Sequence, residues 1–246
     1  MKKINLFLML SVCFCFGLFS CKKNTIVLES GAKYEMIAVP EKNFLIGKTE
    51  ITQEVYEAVM KENPSFNKKK NYPAENLSFY DAIVFCNKLS ELTGKNPCYS
   101  IDGLTDVSKW NYVPHQHAVI KEEIVFDETA GGYHIPTMEE WDFAIKGGQN
   151  FTYSGSNDLD SVAWTDCNAG GSSHQVATLK PNGYGIYDMS GNVLEWVWFI
   201  RDDSSRYCRG GSFFDRGSAG KCTNKELKYG STQSKTVGMR IACKKN

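Results

Sequence analysis

The side chains best suited to redox, metal or cross-linking chemistry in this 246-residue sequence are its nine cysteines. Cys13, Cys15 and Cys21 lie in or beside an apolar N-terminal run, and the others are spread along the chain. These others form no Cys-x-x-Cys pair, so they lack the spacing of a zinc knuckle or a thioredoxin-like motif. Their even number permits disulfides in an exported domain, with free buried thiols as the alternative. They are Cys86, Cys98, Cys167, Cys208, Cys222 and Cys243.

The last third of the chain holds the most distinctive order of polar and aromatic residues. A Gly/Asn turn at 182–185 leads to Gly-Asn-Val-Leu-Glu-Trp at 191–196. Arg-Gly-Gly-Ser follows at 209–212, and Gly-Met-Arg at 238–240. Each piece alone is a weak signal, but the combination in this order is specific.

Two histidines form the other candidate for chemistry. His115 and His117 are separated by one residue, which would place both imidazoles on one face of a strand as a metal-binding pair. No third ligand lies near them in the sequence. We therefore expect surface histidines there.

Composition indicates what kind of scaffold positions these residues. The chain is 42% hydrophobic and 13% aromatic, with 21 glycines, which favours short strands and turns around aromatic cores. Its formal net charge is zero, so no nucleic-acid footprint is expected.

Local signals predict a small number of helices and strands. Residues 44–47 have the pattern of a strand that runs into a turn, and Thr52 and Ser78 are N-cap residues for two helices. Thr137 with Glu140 forms a capping box for a third helix, which Gly147-Gly148 ends. No helical period persists after residue 149.

The N-terminus has the features of a bacterial lipoprotein signal. Lys2 and Lys3 precede an apolar run that ends in Leu-Phe-Ser-Cys at 18–21, a sequence similar to a lipobox. The prediction is a signal peptide at 1–20, lipidated Cys21 with a tether to residue 33, and one domain at 34–246. An ordinary signal peptide is the alternative. The lipid would hold the protein at the cell envelope, on the periplasmic side or at the cell surface.

Taken together, the motifs make the chain resemble the sulfatase-modifying-factor, or formylglycine-generating-enzyme-like, family. The resemblance implies a single compact α+β domain with a C-type-lectin-like core. Regular secondary structure should be scarce, with a few short helices on small mixed sheets. The matching segments lie at 47–52, 72–86, 135–148, 184–196, 209–213 and 238–240.

The family's enzyme oxidises a substrate cysteine to formylglycine with a copper-binding pair of cysteines. In this sequence the matching positions are Asp215 and Gly220. A carboxylate and a glycine cannot replace two soft thiolates around a monovalent copper ion. Copper is therefore not expected, and the resemblance with this departure implies a non-catalytic member. An oxidoreductase acting on protein cysteine, or altered metal chemistry at Asp215 or His174, is the alternative.

The resemblance also implies a calcium site. Its ligands would be the Asp188 side chain, the Gly191 and Val193 carbonyls and the Glu195 carboxylate, a set of hard oxygens that suits Ca²⁺. In the alternative interpretation, both carboxylates cap turns by accepting backbone N–H groups.

A family disulfide is implied as well. The helix cysteine that matches Cys86 pairs with the C-terminal strand, where this chain offers Cys243. Cys208–Cys222 is a second candidate pair, which would leave Cys98 and Cys167.

The expected function is ligand or partner binding by a monomer. The segments that replace the catalytic region would form the binding surface for a protein or glycan, because they mix aromatic, charged and small residues. The membrane that holds the lipid is the other expected contact, and no nucleic-acid partner is expected. The candidate binding residues are Phe213, Phe214, Asp215, Arg216, Lys228 and Tyr229.

Overall fold

Small sheets with three helices packed on them make up the computed structural model, which describes residues 24–202 and 204–245. The predicted signal peptide at 1–20 and the lipidated Cys21 lie outside the described residues, so both stay predictions. The α+β class and the scarcity of long elements are confirmed.

The first sheet joins the two ends of the domain. Its strands are β1 (Thr25–Val27), β2 (Lys33–Ala38), β3 (Phe44–Gly47), β6 (Tyr133–His134) and β11 (Ala242–Lys244). They lie in the order β1-β2-β3-β11-β6, and all neighbours are antiparallel. The last strand is therefore inserted between β3 and β6.

The second sheet carries the distinctive C-terminal motifs. It contains β7 (Leu194–Ile200), β8 (Ser205–Arg209), β9 (Lys225–Tyr229) and β10 (Val237–Gly238), in the order β10-β7-β8-β9. The β10–β7 pair is parallel and the other pairs are antiparallel. A separate antiparallel pair is formed by β4 (Tyr99–Ile101) and β5 (Ile124–Phe126).

The three helices begin at the predicted caps. Thr52 caps α1 (Gln53–Met60) by accepting the N–H of Val55. Both α2 (Phe79–Leu92) and α3 (Met138–Lys146) begin with complete capping boxes, formed by Ser78 with Asp81 and by Thr137 with Glu140. Gly147 ends α3 in the left-handed conformation. These predictions are confirmed. They could be made from the sequence because a helix cap depends only on residues within one turn of the helix.

The core falls into clusters. The main core packs α1 and α2 against both sheets and includes Phe79, Phe85 and Trp196. A second core surrounds Trp141 of α3, and a small third cluster surrounds Phe213.

Two expectations about the chain's surface differ from the structure. The predicted tether contains β1 and a turn, because Ile26, Leu28 and Ala32 are buried against the main core. The expectation of surface histidines fits His117, which is exposed, but not His115, whose side chain is 12% exposed and contacts Tyr56. Both residues have positive φ, 61° and 53°, so they do not share the face of a strand that a metal-binding pair would need.

All six cysteines of the described chain are free thiols. Cys208 belongs to the main core, whereas Cys222 packs against the second core, so this candidate pair is separated by the sheet. Cys86 and Cys243 share the main core with Cys98, and no bond joins them in the structure. Cys167 is exposed, whereas Cys98 is buried.

Candidate functional site

A buried ion pair lies where the distinctive C-terminal motifs meet. The Arg240 guanidinium donates from Nε to both oxygens of Glu195 at 3.1 Å and from Nη2 to Oε1 at 2.7 Å. It also donates to the carbonyls of Gly47 and Tyr187 at 2.7 and 2.8 Å. The Trp141 indole N–H donates to Glu195 Oε2 at 2.8 Å. The Glu-Trp and Gly-x-Arg motifs therefore meet in one network.

Two further buried carboxyl groups stand beside this pair. Glu50 accepts the Val193 N–H at 3.3 Å and the Asn192 amide at 3.2 Å. Asp188 accepts the Ala177 N–H at 2.7 Å. Burial raises the pKa of Asp188 to about 6, although the Ala177 N–H opposes the shift. Burial, together with Asp188, raises the pKa of Glu50 well above its usual range.

The predicted calcium ligands do not fit that ion in this geometry. Both oxygens of Glu195 are already occupied by Arg240 and Trp141, and a guanidinium in contact with a carboxylate repels a second cation. Across the described chain, no group of three or more His, Cys, Asp or Glu side chains is placed to hold a metal. Asp188 accepts a backbone N–H, as in the turn-capping interpretation, while Glu195 serves as the partner of Arg240.

The positions that match the family's catalytic cysteines hold a turn together. Asp215 Oδ2 accepts from the Ser212 N–H at 2.9 Å and from its hydroxyl at 2.6 Å. Gly220 is buried, and its carbonyl accepts the Ser190 hydroxyl at 2.7 Å. The Asp215 carboxylate thus closes the local turn, and its contacts do not indicate an acid–base role.

The Arg-Gly-Gly-Ser motif has a structural explanation. Arg209 lies 4.5 Å from the centre of the Trp141 ring and forms an ion pair with Asp142. Gly211 has a φ of 74°, and a Cβ there would come within 2.8 Å of the Ala219 backbone. Only glycine allows the chain to turn this closely.

The predicted binding residues at 213–216 divide into buried and exposed groups. Phe213 is 2% exposed and packs against Ala169 and Val193, so its ring supports the turn and is not a surface contact. Phe214 is 63% exposed, and the Lys235 ammonium lies 5.1 Å from its ring centre. Arg216 is exposed beside it in the chain.

Lys228 and Tyr229 lie apart from that turn, on β9. As neighbours in a strand they point to opposite faces. Lys228 is largely covered and binds Glu226 at 2.6 Å, whereas Tyr229 is 69% exposed. The structure therefore gives two exposed aromatic positions, Phe214 and Tyr229, on different elements.

Sequence reasoning missed a buried histidine. His134 is among the residues that line a depression of about 400 Å³, and its Nε2 contacts Glu140 Oε2 at 3.1 Å. Burial alone would lower the pKa of His134, but the neighbouring Cys98 thiol and Glu140 raise it to about 9. Only the capping box around Glu140 was visible in the sequence. His174, which the sequence offered as a candidate for altered metal chemistry, is stacked on Trp164 with ring centroids 3.8 Å apart, and its Nε2 contacts the Ala169 carbonyl at 2.9 Å.

Two known proteins resemble this chain, one over most of its length and one over less than half. Chaperone protein LppX of Paenibacillus barcinonensis is 38% identical over 216 residues, which cover 77% of this chain and 76% of that protein. Inactive C-alpha-formylglycine-generating enzyme 2 of Bos taurus is 31% identical over 132 residues, or 45% of this chain and 44% of the other.

A solved structure has the same fold. Treponema denticola variable protein 1 has a TM-score of 0.81 and 29% identity, and the match covers 90% of this chain and 98% of that one. A family model described as the sulfatase-modifying factor enzyme 1-like domain matches residues 17–245. The motifs, the fold and these matches agree, and the chain belongs to the sulfatase-modifying factor enzyme 1-like family.

Proposed function

We propose that this chain is a non-catalytic member of its family that binds another polypeptide at the cell envelope. The proposal depends on the residues that occupy the two positions where the family's enzyme has its catalytic cysteines. Asp215 closes a turn on Ser212, and Gly220 has no side chain. Neither can hold copper as a thiolate does.

The surface next to these positions supports a role in binding. Phe214 presents most of its ring to solvent, with Lys235 above it and Arg216 nearby in the chain. Exposed aromatic and arginine side chains are the types that contribute most to protein interfaces. Buried Phe213 packs below the turn and holds it in place.

The relatives favour the same interpretation. One is named a chaperone and another is named inactive. The lipobox-like sequence at 18–21 supports attachment to the envelope through Cys21. In the part of the chain that the structure describes, no helix is long and apolar enough to cross a membrane.

The test measures whether the full chain suppresses aggregation of a reduced, unfolded secreted protein, followed by light scattering. We expect the wild-type chain to lower scattering at stoichiometric amounts. Phe214→Ala with Arg216→Ala should lose most of that effect. The control is Phe199→Ala, which removes another exposed ring, 47% against 63%, that packs on Tyr207 of β8.

Two results would overturn the proposal. One is equal suppression by the wild-type chain and the Phe214/Arg216 double variant. The other is oxygen consumption with conversion of a cysteine peptide to an aldehyde, which would favour the oxidoreductase alternative.

A further inference from the structure

The strand β9 forms one edge of the second sheet in the described chain. It pairs with β8 on one side and is last in the strand order. Leu227 and Tyr229 on this strand are 39% and 69% exposed. An open edge with exposed apolar side chains is a template for pairing with another strand.

The hydrogen-bond phase of β8 and β9 shows which main-chain groups are directed outward. The Gly230 N–H donates to the Ser204 carbonyl at 2.8 Å, so this opposed pair is hydrogen-bonded. In an antiparallel ladder, hydrogen-bonded pairs alternate with non-hydrogen-bonded pairs. The main-chain N–H and C=O groups of Lys228 and Glu226 are therefore directed toward β8. The main-chain groups of Lys225, Leu227 and Tyr229 therefore point away from β8, and of these the Tyr229 carbonyl also accepts the Thr232 N–H of its own chain at 2.9 Å.

We propose that β9 pairs in antiparallel orientation with β9 of a second copy of this chain, about a two-fold axis at Leu227. The outward main-chain groups of Leu227 would bond reciprocally to those of the second Leu227. Lys225 would lie opposite Tyr229, and Glu226 opposite Lys228. The two four-stranded sheets would become one sheet of eight strands.

Charge complementarity selects this register and the second copy as occupant. Lys225 opposite Tyr229 permits a cation–π contact, and Glu226 opposite Lys228 brings unlike charges together. The outward main-chain groups of the two β9 strands could also form hydrogen bonds if the register shifted by two residues in either direction. One slip would place Glu226 opposite Glu226, and the other would place Lys228 opposite Lys228. Like charges directly opposite are destabilising, so only the register centred on Leu227 is favourable.

Lysines on an edge strand ordinarily oppose pairing. On β9 this effect is reduced, because Lys228 already binds Glu226 of its own chain at 2.6 Å. The proposal replaces the monomer expected from the sequence. It does not rest on the proposed function, since Phe214 and Arg216 lie outside β9.

Charge variants test the pairing through its register. The full chain in density-matched detergent is measured by sedimentation equilibrium, with Cys167→Ser throughout to remove the exposed thiol. We expect a reversible dimer for the parent chain. Glu226→Lys alone and Lys228→Glu alone should each be monomeric, since each homodimer opposes like charges. An equimolar mixture of the two should dimerise again, because each chain supplies what the other lacks.

Cross-linking provides a second measurement. In a hydrogen-bonded antiparallel pair the Cα atoms lie about 5.5 Å apart, within the range that a disulfide spans. Leu227→Cys should therefore give a covalent dimer under mild oxidation, while Thr223→Cys, before the strand, should not. A monomeric parent chain up to millimolar concentration, or a mixture of charge variants that stays monomeric, would overturn the proposal.

Discussion

At the scale of single residues, the network around His134 shows how neighbours decide the charge of a buried group. The imidazole is 2% exposed and burial alone would lower its pKa, yet its contacts with the Cys98 thiol and Glu140 keep the protonated form favourable. Glu140 also caps α3 by accepting the Thr137 N–H at 2.8 Å. One carboxylate thus serves both a helix end and a buried cation.

This network predicts a pH dependence of stability. The pKa of His134 is raised from an ordinary 6.5 to about 9, so its contribution is complete below pH 6.5 and is lost as pH rises to 9. Glu140→Gln keeps a capping-box residue but removes the charge. We expect this variant to lose on the order of 2–3 kcal/mol of unfolding free energy below pH 6.5 and to differ less from wild type near pH 9.

The measurement is chemical denaturation of both proteins across that pH range. His134→Gln serves as the second variant, because it removes the titrating group itself. Parallel stability curves for the wild type and both variants would show that the His134–Glu140 pair makes no such contribution.

At the scale of elements, the sequence predicted what depends on neighbours along the chain. Thr52, Ser78 and Thr137 mark helix starts because a cap and its N–H partner lie within one turn. The positions of β1 and His134 depend on contacts with distant segments. Ile26 and His134 therefore could not be placed from local pattern.

The strand β1 carries a prediction of its own, because it lies where a tether was expected. Ile26 is 7% exposed and packs in the main core, whereas its neighbour Val27 is 38% exposed. Ile26→Ala should cost about 2–4 kcal/mol of unfolding free energy from lost burial and the cavity left behind.

Val27→Ala is the matched control in the same strand and should change stability by less than about 1 kcal/mol. Urea unfolding of the two variants measures the difference. Equal and small effects would show that residues 25–33 act as a tether after all.

At the scale of the whole molecule, Arg240 links the two sheets. It binds Glu195 of β7 in the second sheet and the Gly47 carbonyl of β3 in the first. The Gly-x-Arg motif was recognised in the sequence only as part of a family pattern. Its partners could not be inferred, since Gly47 and Glu195 are far from it along the chain. Burial and the neighbouring carboxyl groups raise the pKa values of Glu50 and Asp188, and the Arg240 guanidinium opposes both shifts.

Removing the guanidinium tests this link. Arg240→Met leaves Glu195 buried without its cationic partner, and it should cost about 3–5 kcal/mol of unfolding free energy. A glutamine at position 195 is neutral and needs no counter-charge. Glu195→Gln combined with Arg240→Met should therefore recover part of the lost unfolding free energy. Thermal unfolding of the single and double variants at pH 7 measures both effects.

Arg206→Met provides the control: Arg206 is also buried, but its guanidinium donates to the Asp202 and Ser205 carbonyls near its own strand. A double variant as unstable as the sum of its single variants would show that the two side chains act independently, and the ion pair would then not be what joins the sheets.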